Sequence, residues 1–151
     1  MQDRDEVYMR QALLAAQAVA GQTGDNPAVG CVIVRDGIVI GQGATQAPGK
    51  AHAEVMAVNA AEANGYSVRG AEVYVTLEPC SFTGRTPPCT QLLVLKAPQR
   101  VVVGMRDPHP RVRGGGIAEL RAAGIDVREN VLKPEIRELL REWLERYPDP
   151  A

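Results

Sequence analysis

The chain has 151 residues, about one domain's worth, and its 17 Lys+Arg against 18 Asp+Glu leave a formal charge of -1. That balance excludes a nucleic-acid binder working through bulk charge. The 45 % hydrophobic and 23 % charged content excludes a disordered chain and a coiled coil.

Residues 5–20 are rich in Ala and Leu at helical spacing and predict a helix ending near Gly21. A polar loop, 21–27, leads to two β-branched runs, Val29–Val34 and Ile38–Gly43. They are joined by Arg35-Asp36-Gly37, a hairpin signal. After a Pro/Gly-rich loop, 44–50, an Ala-rich helix is expected over Ala51–Gly65, then a buried strand over Gly70–Pro79. The stretch Cys80–Cys89 is irregular and polar, and Pro87-Pro88 suits the first turn of a helix running to about Lys96. A strand at Arg100–Met105, a loop at 107–116, a helix at Ile117–Gly124 and a strand at Ile125–Asn130 follow. A terminal amphipathic helix over Pro134–Tyr147 completes the order α-β-β-α-β-α-β-α-β-α. Such alternation predicts a mixed sheet covered by helices on both faces. The glycine run Gly114-Gly115-Gly116 before a helix could form an anion nest, though such a run is more often only a flexible turn.

Three cysteines, Cys31, Cys80 and Cys89, are too few for a disulfide scaffold. The N-terminus is charged and lacks the apolar core of a signal peptide, and no window of 18 apolar residues occurs. The expectation is a reduced, soluble, cytoplasmic protein.

The chemistry gathers in His52, Glu54, Cys80 and Cys89. One imidazole and two thiolates make a three-ligand zinc site with an open position, where zinc lowers the pKa of water towards about 7. Glu54 stands two residues from His52, placed to shuttle protons without binding metal. Cys80 and Cys89 lie in polar, Pro/Gly-rich sequence, where an apolar packing role does not suit them. A structural zinc would want a fourth protein ligand. Cys31 sits in an apolar strand and reads as core, which leaves His109 as the candidate. A structural zinc has no use for a carboxylate beside an open position, so Glu54 separates an enzyme from a zinc-stabilised binding module. The low charge and the absence of an aromatic-rich basic stripe speak against a nucleic-acid-editing enzyme.

His-x-Glu followed by Pro-Cys and a second Cys is the pattern of zinc-dependent base deaminases, and Pro79 precedes Cys80 as it requires. From about Val7 to Val127 the chain resembles the pyrimidine deaminases of riboflavin biosynthesis, in the cytidine-deaminase superfamily. The resemblance is carried by Asn26–Val34, His52–Glu54, Thr76–Ser81, Gly84–Cys89 and Arg100–Pro110. The eight residues between Cys80 and Cys89 are characteristic, since cytidine and tRNA-adenosine deaminases usually have two. The resemblance implies a three-layer α/β/α cytidine-deaminase-like fold with a mixed five-stranded sheet. It also implies deamination of 2,5-diamino-6-ribosylamino-4(3H)-pyrimidinone 5′-phosphate, releasing ammonia. The runner-up is another nucleobase, nucleoside or heterocyclic amine.

By the same resemblance His52, Cys80 and Cys89 hold Zn2+ and Glu54 is the proton shuttle. Asn26 contacts the base, Arg85 holds the phosphate, and Asp107 matches the Asp of an Asp-Pro-Asn-Pro motif. Ala53, Thr45, Phe82 and His109 complete the expected substrate contacts. The family's usual Trp-His pair is here Ala44-Thr45, its His after the first Cys is Phe82, and its motif Asn is His109. Phe82 offers an apolar face in exchange for a hydrogen bond. The whole chain, 1–151, is expected to be a single deaminase domain without the reductase domain common in the bacterial enzyme. Its expected partners are a small-molecule aminopyrimidine or nucleotide and further copies of itself, with no nucleic acid and no membrane. The helical stripe of Ile136, Leu139, Leu140, Trp143 and Leu144 reads equally as cover for the chain's own core and as an oligomer contact.

Overall fold

The computed structural model describes residues 3–47, 50–81, 88–109 and 112–146. Its elements are α1 (Arg4–Val19), β1 (Gly30–Arg35), β2 (Ile38–Ala44), α2 (Ala53–Ala63), β3 (Glu72–Leu77) and α3 (Cys89–Lys96), then β4 (Arg100–Met105), α4 (Gly115–Ala122), β5 (Asp126–Arg128), α5 (Lys133–Leu139) and α6 (Arg141–Arg146).

Strand side chains point alternately to the two sides of the sheet. Cys31, Ile33, Val73, Val75, Val101 and Val103 join one buried cluster with Ala57, Val58, Leu93 and Ile117 of α2, α3 and α4. Val32, Val34, Tyr74 and Val102 join a second with Met9 and Leu13 of α1 and Ile136 of α5. Cys31 is therefore core, as its apolar surroundings predict. Both faces of the sheet are covered, giving the three-layer α/β/α arrangement.

The strands run in the order β2-β1-β3-β4-β5. β1 pairs antiparallel with β2 and β3, whereas β3–β4 and β4–β5 are parallel and connected through α3 and α4. The β1–β2 turn is Asp36-Gly37, with φ of 52° and 77°, the left-handed pair that a two-residue hairpin demands. The C-terminal ends of β3 and β4 and the N-terminal end of β1 lie side by side. In open α/β sheets that rim is where ligands collect.

Close backbone contact sets α2 on this rim. A Cβ at Gly43 of β2 would lie 2.5 Å from the Ala53 carbonyl oxygen and 2.5 Å from the Met56 Cβ. Only glycine lets the first turn of α2, which carries the His52–Glu54 motif, press this closely on the strand.

Several boundaries differ from the sequence reading; the strand expected over Ile125–Asn130, for one, shortens to β5 (Asp126–Arg128). The strand expected over Gly70–Pro79 narrows to β3: Glu78 N–H still donates to the Met105 carbonyl of β4 at 3.0 Å, but Pro79 has no N–H to continue the ladder. The terminal helix divides at Leu140 (φ -94°, ψ 13°) into α5 and α6. Ile136 and Leu140 are buried, and Leu139, Trp143 and Leu144 pack against the same cluster. The stripe thus covers the chain's own core. Among the described residues, no helix is long and apolar enough to cross a membrane.

Candidate active site

His52 is the N-cap of α2, in extended backbone (φ -74°, ψ 168°), so its ring stands off the helix end. Cys80 follows β3, and Cys89 is the first residue of α3. These three come together. His52 Nδ1 lies 3.2 Å from Cys89 Sγ and 3.8 Å from Cys80 Sγ, and all three ligand atoms fall within 4.8 Å of one another. A tetrahedral zinc, with Zn–S about 2.3 Å and Zn–N about 2.0–2.1 Å, spaces its ligand atoms roughly 3.5–3.8 Å apart. The donor set therefore fits zinc in both chemistry and spacing. His109 does not join this group, so among the described residues the cluster has three protein ligands and an open side.

The sulfurs are prepared for a cation. The Cys80 thiol is lowered to about 4, first by its hydrogen bond with Cys89 and then by that with His52. The Cys89 backbone N–H also donates to Cys80 Sγ at 3.3 Å. The same sulfur–sulfur contact, with burial, pushes the Cys89 thiol up. A divalent cation between them supplies the positive charge that lets both become thiolate.

Glu54 lies in the first turn of α2 and is 4 % exposed. Burial raises its carboxyl to about 7, so near neutrality it both accepts and donates a proton.

Beside this cluster opens a cavity of about 330 Å³, lined by His52, Ala53, Glu54 and Cys80 at its base. Asn26 and Thr45 line it from the β1 side, and Asp107 and His109 from the end of β4. The Asn26 side of the wall is a turn closed by the Thr23 hydroxyl, which donates to the Asn26 carbonyl at 2.7 Å. The Thr45 hydroxyl accepts from Val29 N–H at 2.9 Å and sits 3.2 Å from the Pro27 carbonyl. It holds the 27–29 segment in place while lining the cavity. Asp107 Oδ1 accepts from His109 N–H at 2.8 Å. Ala44 ends β2. Phe82 and Arg85 lie outside the described residues.

Several residues of the cavity wall have no functional part in the sequence reading, Glu78 and Trp143 chief among them. Glu78 was read as strand, although a carboxylate ending an apolar strand two positions before a metal-ligating Cys is itself a signal. Trp143 was read as part of the amphipathic stripe. It packs on the core and also lines the cavity, while Arg146 of the same helix pairs with Asp25 at 3.3 Å.

Asp107 is 9 % exposed, and burial raises its carboxyl to about 7. Its folded value lies above the unfolded one of 3.8, so folding favours the protonated form. The stabilising contribution is full below about pH 4 and is lost as pH rises through about 7. Asp107→Asn keeps the shape and stays neutral. It is expected to gain roughly 2–4 kcal/mol over wild type at pH 8 and little at pH 4. Urea unfolding of both proteins at the two pH values measures this, and equal differences at both would refute it.

With the geometry in place, comparison with known proteins gives the relationship. Residues 2–105 match the model of the cytidine and deoxycytidylate deaminase zinc-binding region. The riboflavin biosynthesis protein RibD of Escherichia coli (strain K12) is 47 % identical over 143 residues, 95 % of this chain and 38 % of that protein. The structure of Acinetobacter baumannii RibD superposes with a TM-score of 0.89 at 40 % identity, over 95 % of this chain and 40 % of the other. A diaminohydroxyphosphoribosylaminopyrimidine deaminase/5-amino-6-(5-phosphoribosylamino)uracil reductase from Thermotoga maritima gives the same TM-score of 0.89 at 39 % identity, over 95 % of this chain and 41 % of that one. The chain thus spans about two-fifths of the length of these relatives. A three-ligand cluster that fits zinc, on a sheet shared with these proteins and within the matched span as far as Met105, places the chain in the cytidine and deoxycytidylate deaminase zinc-binding family.

Proposed function

We propose that the chain catalyses zinc-dependent hydrolytic deamination of an aminopyrimidine, 2,5-diamino-6-ribosylamino-4(3H)-pyrimidinone 5′-phosphate, at its 2-amino group. The observation that carries the reaction class is Glu54, a buried carboxyl raised to about 7, beside a three-ligand cluster. The substrate reading is supported by relatives named for riboflavin biosynthesis and by the Thermotoga maritima protein's deaminase activity.

Zinc, held by His52, Cys80 and Cys89, supplies a Lewis acid that lowers the pKa of a water at its open position. With zinc held there, Glu54 would take one proton from the attacking water and pass it to the ring nitrogen beside C2, and would then carry that water's second proton, from the new hydroxyl on C2, to the departing amine. The C–O bond forms, the C–N bond breaks, and ammonia leaves. Ala53 begins α2, where helix geometry leaves N–H groups without intrahelical acceptors, so it has a donor for the ring carbonyl. Asn26 and Asp107 orient the base from opposite walls. Hydrolysis consumes no reductant, so a deaminase domain completes the step without a reductase. The free thiols of Cys31, Cys80 and Cys89 suit a reducing compartment such as the cytoplasm.

Arg85 is assigned to the substrate phosphate, which a guanidinium binds bidentately. A charge-assisted hydrogen bond is worth roughly 1.5–3 kcal/mol, so Arg85→Ala is expected to lower kcat/KM for the phosphorylated substrate about ten- to hundred-fold. It should leave the dephosphorylated form nearly unchanged. If phosphate confers no advantage in wild type and another aminated heterocycle is the better substrate, the riboflavin assignment is wrong.

Self-association is proposed as well, on the exposed apolar side chains Val94 and Leu95 of α3. Light scattering at micromolar concentration is expected to give a multiple of the 16.2 kDa chain mass, and a monomer mass contradicts it.

A further inference from the structure

Glu78 is 3 % exposed and directly follows β3, two residues before Cys80. Its carboxylate accepts three backbone N–H groups from distant sequence. Oε1 takes those of Asp107 at 3.1 Å and Gly114 at 2.9 Å, and Oε2 takes that of Ile117 at 3.0 Å. A carboxylate accepts only, at about four lone-pair sites, so three are occupied.

The geometry explains the glycine run. Gly114 is the N-cap of α4, at φ 86°, and has no side chain with which to cap it. The N–H groups at the start of a helix attract an anion, and here the anion is the chain's own. A Cβ at Gly116 would lie 2.0 Å from the Pro79 carbonyl oxygen, so the start of α4 presses directly on the turn that carries Cys80. The run is thus an anion nest filled from within.

The third N–H gives this arrangement a consequence for the reaction. A helix cap needs only Gly114 and Ile117. Asp107 follows β4 and lines the cavity, and its side chain in turn holds His109 N–H. One buried carboxylate therefore joins three things: the turn of a metal ligand, the start of α4 and the segment bearing two substrate-facing residues. Burying an ionised group is costly unless it is fully hydrogen-bonded, and an apolar residue would serve the core without that cost.

We infer that Glu78 is a positioning residue for the deamination: it fixes Asp107 and His109 at a set distance from the metal-ligating turn. This rests on the proposed function, because it takes Asp107 and His109 to face substrate.

The test uses the full chain, zinc-loaded, as wild type, Glu78→Gln and Glu78→Ala. Glutamine keeps one acceptor oxygen but turns an NH2 group towards one of the backbone donors. Glu78→Gln is expected to stay folded with one zinc per chain. Hydrogen exchange in peptides covering Asp107 and Gly114–Ile117 should speed up about ten-fold, the scale of one net hydrogen bond, with β1 and β3 unchanged. KM for the phosphorylated aminopyrimidine should rise about ten-fold with kcat within about three-fold, the mark of lost substrate binding. Glu78→Ala should exceed it on both readouts or fail to fold, and the Gln variant alone then decides. Unchanged exchange overturns the inference, as does faster exchange with an unchanged KM, which reduces Glu78 to a helix cap. Wild-type turnover, measured alongside, separates the two claims: an inactive wild type overturns the functional reading instead.

Discussion

Glu54→Gln is expected to lower kcat by roughly 10²–10⁴, at the upper end of that range, while folding and zinc content stay as in wild type. The size follows from the number of proton transfers assigned to one carboxyl. Glu54 takes a proton from water and serves both the ring nitrogen and the leaving amine, and glutamine can do none of these. Its burial makes this possible. A carboxyl raised to about 7 is a stronger base than an exposed one and remains an acid at neutral pH. Glutamine is nearly isosteric, so the first turn of α2 should hold its place and His52 should keep its ligand position. Steady-state kinetics with parallel metal analysis tests this, and near-normal turnover in the variant would remove Glu54 from the mechanism.

Cys80→Ala combined with Cys89→Ala is expected to reduce bound zinc from one per chain to near zero, and with it all turnover. Two of three protein ligands disappear, and a lone imidazole holds zinc weakly. The loss should also lower thermal stability, since the metal joins the start of α2, the end of β3 and the start of α3. Elemental analysis after dialysis reads the outcome. Full zinc retention in the double variant would show that the metal, if present, sits elsewhere.

Local signals carried most of the fold. Asp36-Gly37 announced a hairpin because two consecutive left-handed residues suit few other pairs, and Cys31 was legible as core from its β-branched neighbours. The zinc ligands were legible because their types and the intervening Pro/Gly-rich stretch have no good packing explanation. What escaped was non-local. Glu78 finds its partners 29, 36 and 39 residues away, so its neighbourhood marks it as unusual without saying which groups it holds. The glycine run reads from sequence more often as a flexible turn than as an anion nest, and sequence gives no means of knowing that a carboxylate of the chain itself caps it. Trp143 fitted the helical period of its stripe, and only the break at Leu140 and the placement of α6 reveal that it also lines the cavity.

Ammonia release from the phosphorylated diaminopyrimidine by the zinc-loaded wild-type chain tests the central claim most directly. The expected result is one ammonia for each substrate consumed, abolished by a chelator and restored by zinc. No ammonia from this compound, with turnover of no other aminopyrimidine, nucleoside or purine in the same assay, would contradict it.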